Sequence, residues 1–159
     1  MFATLIFAAV NFAARNGLSE SRRESNSSTK EQARATGIRG ETFAYWFIRR
    51  HGCTLVARNY TVPGIKGEID LIGYDGRALA FVEVKIRSAA HQHSTPEDAV
   101  NADKRRNFSR MAREFLRSRR MDSANCRFDV LAIESQAGKK PVVRLHKSAF
   151  GMAADSPRS

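Results

Sequence analysis

G-E-I-D-L-I-G-Y-D-G-R-A-L-A-F-V-E-V-K-I-R, residues 67–87, decides the fold. Asp75-Gly76 is a strong hairpin signal, because the tight turns that join antiparallel strands need positive φ, which glycine adopts readily. The flanking runs 68–74 and 78–87 are apolar, with polar residues interleaved, and predict two antiparallel strands. Residues two apart share a face of a strand. In the first strand Glu68, Asp70 and Ile72 lie on one face, and Ile69 and Leu71 on the other. In the second, Phe81, Glu83, Lys85 and Arg87 oppose Ala80, Val82, Val84 and Ile86. The hairpin lets the two polar faces meet, which places Asp70 near Glu83 and Lys85 on one surface.

Working outward, residues 54–59 predict a short strand before the Pro63-Gly64 turn. Upstream, T-K-E-Q from Thr29 resembles a capping box and opens a helix that runs to about Arg50 and stops before Gly52. Downstream, Thr95-Pro96-Glu97-Asp98 combines an N-cap, a proline at the first helical position and acids in the first turn. That second helix is expected to reach about Arg120. Strands at 127–134 and 142–147, separated by Gly138 and Pro141, complete an order αβββαββ. The expected class is α/β, with a central mixed sheet of five strands flanked by helices. Residues 37–150 form the expected domain and 151–159 a disordered tail. Residues 1–36 are expected to be a poorly ordered extension: an apolar run ended by Arg15, then a Ser-rich tether. The apolar run is shorter than the ~20 residues that span a bilayer, and no Lys or Arg precedes it as in a signal peptide. It reads as an extension or as the product of a start codon placed too far upstream.

The 159 residues suit one domain, and 27 Lys and Arg against 16 Asp and Glu leave a net charge of +11. Such a balance points to a polyanionic partner, since basic side chains gain affinity by releasing counterions from phosphates. The plainer alternative is a very soluble protein with no such partner. Two cysteines, Cys53 and Cys126, supply neither a metal cage nor a disulfide framework, and reduced thiols in a cytoplasmic protein are expected. No membrane partner is expected.

Paired carboxylates on adjacent strands repel unless a cation separates them. Asp70 and Glu83 offer hard oxygen ligands of the kind Mg²⁺ takes, with Lys85 placed to orient a water or to neutralise a phosphate. A solvated strand face with cross-strand salt bridges fits the same pattern. The helices add to the first reading. Val100, Phe108, Met111 and Phe115 form an apolar stripe in which Lys104 fills a missing step. Glu41 falls within the arc of Ile38, Tyr45 and Ile48. A charge on such a stripe is costly unless it meets an opposite charge, although both side chains can instead snorkel at the stripe's edge. The second helix also carries seven Arg in 16 residues: Arg105, Arg106, Arg110, Arg113, Arg117, Arg119 and Arg120. This basic face fits a phosphate backbone. His91 and His93 lack a third ligand, Tyr45 and Trp46 read as core, and Asp129 reads as the partner of an Arg.

Gly40-Glu41 on a helix, Arg58-Asn59, G-E-I-D-L-I (67–72), F-V-E-V-K-I-R (81–87), Lys104 and R-F-D-V (127–130) together resemble the YraN-type family of small bacterial proteins. This largely uncharacterised group is similar to archaeal Holliday junction resolvases, within the PD-(D/E)XK nuclease superfamily. The resemblance covers residues 37–150. It implies a restriction-endonuclease-like core in which Asp70 and Glu83 bind Mg²⁺ or Mn²⁺, helped by the backbone carbonyl between Glu83 and Lys85. It makes Lys85 the catalytic lysine and Glu41 a further ligand, direct or through water. Lys104 becomes the polar residue of the following helix, and Arg87 a phosphate contact. The superfamily's proline before the motif Asp is Ile69 here, as is usual in this subgroup.

The expected function is a Mg²⁺-dependent endonuclease-like protein that hydrolyses phosphodiester bonds in DNA, branched DNA included. Arg87, Arg105, Arg106, Arg110 and Arg113 would bind the nucleic acid. The alternative is a non-catalytic nucleic-acid binder that retains the fold. Resolvases act as dimers on two-fold-symmetric junctions, which makes a homodimer an expectation of the resemblance.

Overall fold

The structure is a computed structural model, and it describes residues 29–88, 101–122, 125–135 and 140–152. Its order is α1 (Thr29–Arg50), β1 (Thr54–Tyr60), β2 (Ile69–Asp75), β3 (Ala78–Ser88), α2 (Ala102–Ser118), β4 (Cys126–Ser135) and β5 (Val142–Phe150). The expected αβββαββ class is therefore found, as a five-stranded mixed sheet whose strand order is β1-β2-β3-β4-β5. β1 with β2, and β2 with β3, pair antiparallel.

The described residues fall into two compact units. One takes α1 and Cys53, β3 from Val84 onward, β4 from Leu131 and β5 to Leu145. In it, Phe43, Ala44, Ile48, Leu131 and Ile133 are buried. Gly40 sits where α1 meets β3: a Cβ on it would lie 1.9 Å from Ile86 Cδ1, so only glycine permits the approach. Gly52, at φ +89, ends the helix as the sequence predicts.

The other unit takes β1, β2, β3 up to Glu83, α2, β4 up to Val130 and β5 from His146. Its core gathers Ile69, Ile72, Leu79 and Phe81 from the hairpin with Phe108, Met111, Ala112, Phe115 and Leu116 from α2. Those five α2 positions recur at helical spacing and give one buried stripe. Phe128 and Phe150 stack at 5.1 Å with planes 3° apart, and Phe108 meets both edge-on.

α2 begins later than its strongest sequence signal. Asn101 caps it, with its side-chain oxygen accepting the Lys104 N–H at 2.9 Å, and Ala102 is its first residue. The predicted start at Thr95–Asp98, together with Val100, His91 and His93, lies outside the described residues. The C-terminus also comes earlier than Arg120: Arg119 is the cap, and Arg120 turns left-handed at φ 53. No helix among the described residues is long and apolar enough to cross a membrane.

Candidate active site

Gly67, at φ +103, turns the chain into β2 in a conformation that suits glycine. The register then pairs Tyr74 with Leu79, Ile72 with Phe81 and Leu71 with Val82. One step further on this register Asp70 faces Glu83. Neither carboxylate sits on a solvated face: Asp70 is 9% exposed and Glu83 2%. The sequence allowed a surface of cross-strand salt bridges here, and burial removes that reading for these two residues. The cause is topological, because β2 and β3 are interior strands and α2 covers the face that Phe81 shares with Glu83.

Lys104 is the partner of Glu83. Its Nζ lies 2.5 Å from Glu83 Oε1, with the lysine side chain 40% exposed and the glutamate 3%. Lys104 stands one turn before Phe108 and continues the buried stripe of α2 toward the strands. The expectation that a lysine on this stripe meets a carboxylate is thus met by a named atom. Glu83 Oε2 is buried and accepts no hydrogen bond from the described residues. Among the described residues no three His, Cys, Asp or Glu side chains gather to hold a metal. Of the predicted ligands, Asp70 and Glu83 belong to one unit.

Glu41, Lys85 and Arg87 belong to the other unit. Glu41 is half-buried on α1, one residue after the close approach of Gly40 to Ile86. Lys85 and Arg87 are half-buried on β3. On α2, Arg106 and Arg110 are exposed, while Arg105 and Arg113 are half-buried. Arg106 pairs with Asp103, and Arg117 with Glu114 at 2.6 Å. The Arg117 hydrogen bond holds the Glu114 carboxyl below its usual value. Arg105 lies over the Phe150 ring at 5.6 Å, and Arg119 over Phe115 at 3.8 Å. Part of the basic face is therefore committed to neighbours on the same helix or to aromatic rings. Tyr45 and Trp46, expected in the core, are half-buried, with the Arg49 guanidinium 5.5 and 5.4 Å from their ring centroids. A helix face narrower than the sequence arc suggests leaves them at its margin.

A second polar cluster occupies the R-F-D-V motif. Arg127 donates from Nε to both oxygens of Asp129 at 3.0 Å, and from a terminal nitrogen to Asp75 Oδ2 at 2.6 Å. Lys147 donates to the same Asp75 oxygen at 2.6 Å. Asp129 also accepts the Ser148 N–H at 2.9 Å, which fixes Ser148 in a left-handed turn at φ 53. The Lys147 and Arg127 hydrogen bonds hold the Asp75 carboxyl below its usual value. Burial opposes the charge of Arg127, but its bonds to Asp75 and Asp129 outweigh that and raise its pKa. The sequence pointed to an Arg partner for Asp129 without the rest of this cluster, because Asp75 and Lys147 are remote in the chain. A cavity of about 390 Å³ adjoins it, lined by Cys126, Arg127, Phe128, Ser148, Phe150, Gly151 and Met152. Neither Cys53 nor Cys126 is in a disulfide, and burial pushes the Cys126 thiol up.

The sequence model of the uncharacterised protein family UPF0102 matches residues 40–133, more than half of the chain and all of Asp70, Glu83 and Lys104. The chain belongs to the UPF0102 family. It is 41% identical over 120 residues to a UPF0102 protein of Koribacter versatilis (strain Ellin345), covering 76% of this chain and 82% of that protein. A UPF0102 protein of Solibacter usitatus (strain Ellin6076) is 45% identical over 101 residues, covering 64% of this chain and 76% of its own. One from Geobacter metallireducens is 35% identical over 120 residues and is covered over 95% of its length. The YraN-type resemblance carried by the six motifs is membership of this UPF0102 family.

Proposed function

We propose that this chain is a Mg²⁺-dependent endonuclease-like hydrolase that cuts phosphodiester bonds in DNA, branched DNA included, with Mn²⁺ an alternative ion. The observation that supports it best is the buried pair Asp70 and Glu83 on adjacent strands. Two carboxylates at such a position need a positive charge close by. An all-oxygen pair fits Mg²⁺, which usually takes one or two carboxylates and keeps waters and substrate phosphate for the rest of its octahedron. Asp70 and Glu83 would hold the ion. When bound, the ion would polarise the phosphoryl oxygen and lower the pKa of a bound water.

The remaining roles fall to the chain's own side chains. Lys85, two residues beyond Glu83, would orient the attacking water or take up phosphate charge, and Arg87 would contact a phosphate. Arg105, Arg106, Arg110 and Arg113 would follow the backbone without reading sequence.

The test is cleavage of labelled duplex, flap and four-way-junction DNA by the full chain in Mg²⁺. Cutting is expected, with at least a hundredfold loss in Asp70→Asn and in Glu83→Gln and full loss in chelator. Cutting that survives both substitutions, or that ignores chelator, overturns the proposal. A second reading, a nucleic-acid binder without turnover, draws support from Lys104, which already neutralises Glu83. It predicts salt-sensitive binding and no product on any substrate.

A further inference from the structure

Lys104 is held at two points that do not depend on its ammonium group. Its backbone N–H donates to the Asn101 side chain at 2.9 Å, and Phe108, one turn on, is fully buried. The stem is anchored, and the charged end is the part able to change partners. That end occupies the place of a cation, 2.5 Å from an oxygen of a carboxylate that is 3% exposed, while the lysine itself is 40% exposed to solvent. An ammonium carries one charge and has no preferred coordination. A divalent ion carries two and can serve Asp70 and Glu83 together.

We propose that Lys104 is the resident counter-ion of Glu83 in the metal-free protein, and that a divalent cation loading onto Asp70 and Glu83 displaces its ammonium from Oε1. The inference rests on the metal-binding reading above and adds its regulation. Lys104 keeps the buried glutamate compensated, so the fold stands without metal. Its release turns one more positive charge to solvent beside the acidic pair. Ion loading and the charge at the mouth of the pair are thereby coupled through one side chain, which makes Lys104 a positioning residue.

Two measurements on the full chain test the exchange. In the first, Mn²⁺ is titrated by calorimetry or water-proton relaxation into wild type, Lys104→Met, Lys104→Arg and Arg105→Met, each checked for folding by circular dichroism. Lys104→Met is expected to bind Mn²⁺ roughly tenfold more tightly, about 1.4 kcal/mol, and to melt at a lower temperature without metal. Lys104→Arg keeps the charge and stays near wild type. Arg105→Met, which removes the charge of the next residue in α2, set over the Phe150 ring, stays within about twofold. In the second, ¹³Cε-lysine spectra of wild type are followed as Mg²⁺ is added. The Lys104 signal, assigned by its loss in Lys104→Arg, is expected to move toward the position of a solvated lysine. Metal that binds wild type while Lys104→Met keeps the same Kd, or while the Lys104 signal stays still, overturns the exchange and leaves the metal pair standing. An equal gain in Arg105→Met overturns it too, since a general field would then explain the effect. Absence of binding to both wild type and Lys104→Met overturns the metal reading itself.

Discussion

Replacing Asp129 by Ala removes a carboxylate that is 1% exposed and that ties β4 to β5. It accepts from Arg127 Nε at 3.0 Å on each oxygen and from the Ser148 N–H at 2.9 Å. Removing one partner of a buried ion pair costs roughly 3–5 kcal/mol when the other charge is stranded. Here Arg127 keeps Asp75 at 2.6 Å, which moves the expectation to the lower end. The Ser148 amide, set at φ 53 on an exposed residue, loses its acceptor. The expected loss is about 3 kcal/mol, a fall in Tm of about 10 °C for a domain of this size. Urea unfolding followed by circular dichroism measures it, with an unchanged m-value showing that the denatured state is the same. Asp129→Asn keeps an acceptor for Ser148 and gives up the ionic interaction, so about half that loss is expected. Cleavage and DNA affinity per folded molecule should not change in either variant. A loss below about 1 kcal/mol, or lost function at a temperature where the protein is folded, refutes the assignment of this cluster to structure.

Gly40→Ala places a methyl 1.9 Å from Ile86 Cδ1 and is expected to cost about 1–3 kcal/mol, which Ile86→Ala in the same chain should largely restore. A fully stable Gly40→Ala protein contradicts the close approach. Asp75, held below its ordinary 3.8 by Lys147 and then by Arg127, contributes stability that is complete above that value and is lost as pH falls through the lower folded one. Asp75→Asn should therefore flatten the acid limb of the stability–pH curve and leave its neutral slope alone; an identical acid limb speaks against the network. Replacing Arg106, Arg110 and Arg113 by Ala should reduce the slope of log Kd against log salt by about 0.9 for each phosphate no longer neutralised, and an unchanged slope removes α2 from the interface.

Much of this architecture is local and hence legible. The turn falls one residue later than Asp75-Gly76 suggests, at Gly76-Arg77, with Gly76 at φ +60 and Asp75 paired to Ala78. The hairpin still sets the register, and alternation then carries Asp70 to Glu83 without knowledge of the rest of the chain. What escapes is whatever depends on position in the sheet. Composition cannot distinguish a half-wet strand face from one closed by a helix, so the burial of Asp70 and Glu83 was not fixed by their pattern. The cap of α2 shows a different limit. The cap of the described helix is Asn101, which the pattern at Thr95–Asp98 drew the reading away from. Lys104 was conspicuous because a charge interrupts an apolar stripe. Arg127 was not, because its partner Asp75 is 52 residues away on β2 and is brought to β4 only in the folded protein.

The strand order follows the order of the chain. Asp70 and Glu83 therefore come together by closing one short hairpin, an event of roughly 1–10 μs, whereas Lys104 arrives only when the crossover helix docks. A hairpin formed alone would set two like charges side by side, and α2 brings the lysine that compensates one of them. Docking of this helix is thus favoured by charge as well as by the phenylalanines, and an apolar segment without a lysine at that position would forgo the Glu83 ion pair.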